Sequence, residues 1–241
     1  MEAEFDIRAE LARGVADAAG AWQFIRLFAA RYVRPVVAGD GCDDAELSEA
    51  ETRLGFPLPA SLRAAYALIG RRPDLTRAQD RLLAPHQLDV DHTGRVLVFR
   101  WECQHVVEWG TPLSAVAEPD PPVVFRHDWE PVWQPFLERL SLACVEMVLS
   151  EWMLCGAASS DSRQLDNESV ALLERRFRRL PMPGYPFWAG SDDAGPVRWF
   201  EGYGAILRED AGTWLWASGA SPDAIAAVRR SLPGEWTTNE G

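Results

Sequence analysis

The chain has 241 residues, 47% of them hydrophobic, which supports a sizeable core and excludes global disorder. Its formal charge of −12 argues against non-specific nucleic-acid binding, which needs clustered cations to neutralise phosphates. All 24 basic residues are arginine, so a Walker A loop, a Schiff-base lysine and the usual kinase strand lysine are excluded.

The first residues, Met-Glu-Ala-Glu-Phe-Asp, lack the basic and apolar regions of a secretory leader. No apolar run reaches spanning length; Leu142–Leu154 is interrupted by Glu146 and Glu151. The expectation is a cytoplasmic protein that does not enter membranes. Cys42, Cys103, Cys144 and Cys155 show no C-x-x-C spacing and read as free thiols.

Residues 2–33 carry helical apolar stripes, with Gly20 as the expected break and Pro35 as the end. From Asp40 to Glu51 the chain carries Asp40, Asp43, Asp44, Glu46, Glu49 and Glu51 and no basic residue. This charge suits either a docking patch for an arginine- or lysine-rich surface or a solvated helix face. Asp43 and Glu46 have capping-box spacing, and Leu47, Ala50 and Leu54 form an apolar stripe. Gly55 fits a left-handed helix end. Pro57 and Pro59 stop one helix and open the next, in which Leu62, Ala65, Tyr66 and Ile69 recur at helical spacing before Gly70.

The set Glu51, Leu54, Gly55, Leu58, Pro59, Leu62 and Tyr66 resembles the signature of the SUKH superfamily, nearest its Smi/Knr-type branch. The resemblance extends more weakly from Val36 to Cys155. It implies an α+β fold with N-terminal helices packed on a mostly antiparallel sheet. It also implies a non-catalytic immunity protein that binds and neutralises a polymorphic toxin. On this reading residues 1–35 are a helical arm and 36–157 the SUKH-like domain. Residues 158–241 form a small C-terminal β-β-β-α extension that either folds alone or continues the main sheet.

After the elbow, a short helix is expected around Arg77–Leu83 and a turn at Asp91–Gly94. Arg95–Trp101 and Cys103–Trp109 read as paired strands, with Val96, Val98 and Arg100 on one face and Leu97, Phe99 and Trp101 on the other. Val123–Arg126 is a third strand. Trp129, Trp133 and Phe136 lie in a proline-interrupted link before a helix at Ser141–Leu154. Gly156–Asn167 reads as a linker and Glu168–Leu180 as a helix with a basic end at Arg175, Arg176, Arg178 and Arg179. Val197–Phe200, Ala205–Arg208 and Thr213–Ala217 read as strands, with a turn at Asp210–Gly212 and a helix at Pro222–Leu232.

No arrangement of His86, His92, His105 and His127 has metal-site spacing. Cys103 and His105 would share a strand face, as either a nucleophile pair or ordinary strand residues, with no orienting partner in view. Glu201–Gly204 lacks a dinucleotide-binding context. Asp43–Asp44 and Asp192–Asp193 read as cap or loop pairs. No catalytic, cofactor or metal residue is assigned. The expected contact surface for a basic protein partner is Asp40, Asp43, Asp44, Glu46 and Glu49, with Trp101 and Trp109 as aromatic anchors. A regulatory scaffold and an enzyme with an unfamiliar site remain as alternatives.

Overall fold

The computed structural model describes residues 5–128, 130–191 and 194–237, with backbone alone at 155 and 156. Asp192–Asp193 and Trp129 therefore lie outside the described residues. The fold is α+β, with two antiparallel sheets and eight α-helices among the described residues. The chain clusters into two compact units: Arg13–Trp152, and Met153–Gly241 with the segment Met1–Ala12.

Two helices open the chain, α1 (Ile7–Gly14) and α2 (Ala18–Tyr32). The break falls before Gly20, because the Asp17 carboxylate caps α2 by accepting from Gly20 N at 2.8 Å. Gly20 serves a different purpose: a Cβ there would stand 2.1 Å from Arg13 O. Helices α3 (Asp44–Leu54) and α4 (Ala60–Ile69) form the elbow, followed by the single turn α5 (Pro73–Thr76). The helix expected around Arg77–Leu83 is instead a short strand, β1 (Arg81–Leu82).

The first sheet runs β1-β3-β4-β5-β6, with β2 (Asp89–Val90) also paired to β3. Its main strands are β3 (Val96–Trp101), β4 (Val107–Pro112), β5 (Val123–His127) and β6 (Gln134–Leu137). Strand β6 occupies the expected link; Pro135 is tolerated because β6 is an edge strand. Val98 pairs with Gly110 and Arg100 with Trp109, so Phe99 is an extra residue in a bulge. The bulge reverses the expected alternation. Arg100 turns toward α6 (Leu140–Glu151), where it meets Glu146 at 2.8 Å, while Trp101 joins the opposite face.

Every residue of α6 is buried, including Glu146 and Glu151. Both pair with Arg100, at 2.8 and 3.5 Å, which also binds Asp80 at 2.8 Å. Glu151 accepts from Gln79 N and Asp80 N at 2.6 and 3.0 Å, so the loop before β1 is fastened to α6. Burial pushes the Glu151 carboxyl above its ordinary value, against the opposing pull of Arg100. An aromatic group of Phe28, Tyr32 and Trp152 packs α2 against the end of α6, with a Phe28–Trp152 centroid distance of 5.5 Å.

In the second unit, β7 (Ser159–Gln164) fills the expected linker. Its polar sequence is held by pairing with β12, and Thr237 N donates to Ser162 O at 2.8 Å on its other edge. Next come α7 (Asn167–Arg176), β8 (Arg178–Arg179), β9 (Tyr185–Pro186), β10 (Pro196–Gly202), β11 (Ala205–Asp210), β12 (Trp214–Gly219) and α8 (Pro222–Ser231). These strands make a sheet of their own, ordered β7-β12-β11-β10-β8 with β9 beside β10. Successive positive φ values at Tyr203–Gly204 and at Ala211–Gly212 give the two tight hairpin turns. Glu201–Gly204 is thus a hairpin tip. Helices α7 and α8 bury Leu173, Ile225 and Val228 against Phe200, Leu207 and Leu215.

Candidate functional site

The elbow explains its own residues. Glu51 accepts from Leu58 N at 3.0 Å and forms an ion pair with Arg63 at 3.0 Å. Gly55 takes the left-handed conformation at φ 82°. Leu58, Leu62 and Tyr66 are buried, and the Tyr66 hydroxyl donates to Leu83 O at 2.6 Å. Pro59 stands at the N-cap of α4 and Leu54 is half-buried. All seven residues of the elbow pattern therefore have structural work inside the unit.

The capping box forms at the start of α3, where Glu46 accepts from Asp43 N at 2.8 Å. Beyond it the acidic run divides into two groups. Asp40 is buried and binds Arg34 through two bonds at 2.9 and 3.0 Å; it also binds the fully buried Arg72 at 3.2 Å. The Arg34 bonds hold the Asp40 carboxyl down to about 2, with burial opposing them. Asp40 locks the chain before α3 to the α4–α5 turn and is removed from the expected contact surface.

The other acids remain at the surface. Asp43 and Asp44 keep 70% and 88% of their side chains exposed, and Glu46 keeps 43%. Arg71 binds Asp43 and Glu46 at 3.0 and 2.5 Å, while Arg63 binds Asp44. Glu49 is exposed and has no cation partner among the described residues. Glu46 and Glu49 line a groove of about 550 Å³ with Ala50, Thr52, Pro85 and His86. Arg53 crosses it to donate to Pro85 O and Leu88 O at 3.3 and 2.6 Å, fixing the far wall. The result is a shaped acidic surface on the first turns of α3.

The two tryptophans part company. Trp109 is 2% exposed and lies under the Arg100 guanidinium at 4.7 Å, so it offers no surface anchor. Trp101 is half-buried and stacks on His105, with ring centroids 4.0 Å apart. It sits on the first sheet, not on the α3 patch.

Cys103 and His105 lie in the turn between β3 and β4 rather than on a strand. His105 adopts φ 61°, and its ring faces Glu108 at 3.2 Å. The Cys103 thiol donates to Glu102 at 2.9 Å, which pushes its pKa up to about 11 and disfavours the thiolate a nucleophile needs. Cys42 and Cys144 are free and buried. Among the described residues no group of three or more His, Cys, Asp or Glu could hold a metal ion. No described helix is long and apolar enough to cross a membrane. Comparisons with protein-family models, curated proteins and solved structures find no match to this chain.

Proposed function

We propose that this chain is a protein-binding module that sequesters a basic partner through the acidic surface of α3. The partner class we favour is a toxin domain, which makes the chain a SUKH-type immunity protein acting in the cytoplasm by stoichiometric capture. The observation that carries the reading is the exposed trio Asp43, Asp44 and Glu49, with Glu49 uncompensated at the rim of a groove. Such a surface steers a basic partner and raises its association rate at low salt. The resemblance of the Glu51–Tyr66 elbow to the SUKH signature supplies the toxin expectation.

The test is charge reversal. Asp44→Arg with Glu49→Arg changes exposed side chains; it removes the Asp44–Arg63 pair but neither partner of the Glu51–Leu58 hydrogen bond. Loss of a basic, stoichiometric partner together with its salt dependence supports the reading. Unchanged binding contradicts it. A housekeeping partner retained through the same acids moves the assignment to a regulatory scaffold.

A further inference from the structure

The outer face of the first sheet carries a second groove, of about 610 Å³. Val96 and Pro112, which are cross-strand partners, form its floor with Val124. Val132 and Trp133 form one wall, and Val132 is 64% exposed. The wall is fixed in place. Trp133 Nε1 donates to Asp91 at 3.2 Å, and the Arg126 guanidinium covers the indole at 4.7 Å. Asp91 in turn accepts from Arg95 N and Val96 N at 2.9 and 3.0 Å, tying the wall to the β2–β3 turn.

The charge of this groove departs from that of the chain. In a protein of net charge −12, no carboxylate appears among the described lining residues, and the one charged side chain there is Arg95. Arg95 is exposed, and its guanidinium has no hydrogen-bond or ion-pair partner among the described residues. The exposed Ser114 stands on the same lining. A mostly apolar concavity of this size with a few polar groups has the make-up of a small-molecule site. A lone guanidinium at its rim matches a planar carboxylate with two parallel bonds.

We propose that this groove binds a small apolar carboxylate, its hydrocarbon body on Val96, Pro112, Val124 and Trp133 and its anionic end on Arg95. The site is separate from the α3 surface and does not depend on the partner assigned there.

The experiment is calorimetric titration of the full chain with octanoate and with octanamide, which share a tail and differ in charge. Octanoate is expected to saturate one site, with octanamide about tenfold weaker for want of the charge-assisted bond. Arg95→Gln should bring octanoate down to the amide's affinity and leave the amide unchanged. Val132→Glu, at an exposed position, should weaken both. The proposal is overturned if octanoate shows no saturable binding, if acid and amide bind equally, or if the preference survives Arg95→Gln. A peptide ending in apolar residues that binds where octanoate does not overturns it as well and makes the groove a protein-docking site.

Discussion

Glu51 accepts a hydrogen bond from Leu58 N at 3.0 Å, closing the elbow between α3 and α4. The same carboxylate holds Arg63, whose guanidinium also reaches Asp44. One side chain therefore sets both the angle of the two helices and the cation beside the acidic surface. Glu51→Ala leaves the Leu58 N–H without its acceptor and should cost about 1–3 kcal/mol of unfolding free energy in urea. Glu51→Gln keeps an acceptor oxygen and should cost less. Equal losses in the two variants would remove the hydrogen bond from the explanation.

Arg100 is the cation on which the core of the first unit depends. Its neighbours Asp80, Glu146 and Glu151 are buried carboxylates. Arg100→Ala should destabilise by about 3–5 kcal/mol, since it strands buried charge. The measurement is the denaturation midpoint, with the urea slope checked for a change in cooperativity.

Glu151 should contribute a pH dependence of unusual sign. Its folded pKa is raised, so the folded state binds the extra proton and stability falls as pH rises above the ordinary carboxyl value of 4.5. Glu151→Gln cannot ionise. Its deficit relative to wild type should shrink as pH rises above 4.5, measured by urea unfolding at each pH. A constant or growing deficit contradicts the shift.

Asp40 and Asp91 act on the acid side. Hydrogen bonds from Arg34 hold Asp40 at about 2. Burial works against the Asp91 carboxylate, but bonds from Arg95 N, Thr93, Val96 N and Trp133 outweigh it and hold Asp91 at about 2. Their contribution is present above the ordinary value of 3.8 and is lost as pH falls through about 2. Asp91→Asn should flatten the acid limb of the stability curve in that window. An unchanged limb would place the acid sensitivity elsewhere.

Gly41 is required by a close approach. A Cβ there would stand 1.7 Å from Ala67 O, so the chain before α3 can lie against α4 only without a side chain. Gly41→Ala should lower stability by at least about 1–3 kcal/mol. It should also weaken partner binding indirectly by displacing Asp43.

The elbow was legible in the sequence because its signals are local: a capping box, a left-handed glycine and two prolines. The β10–β12 hairpins and α8 were legible for the same reason. The bulge at Phe99 was not, since an extra residue leaves no mark in the apolar alternation, and it moved Arg100 and Trp101 to opposite faces from those expected. Strand β7 was hidden by its polar residues, which are held by the pairing of β12 rather than by their own propensity. At the acidic surface, capping-box spacing marked Asp43 as the N-cap and so put Asp44, Glu46 and Glu49 within α3. That spacing gave no sign that Asp40 would be enclosed by Arg34 and Arg72, because those partners lie 6 and 32 residues away.

Capture of partners from native-host extract by the wild-type chain and by the Asp44→Arg, Glu49→Arg variant, at low and moderate salt, decides whether the α3 acids hold a basic partner. One basic, stoichiometric partner is expected, held by wild type at low salt, weakened by added salt and lost with the variant. A partner retained equally by both chains, or one indifferent to salt, would contradict it.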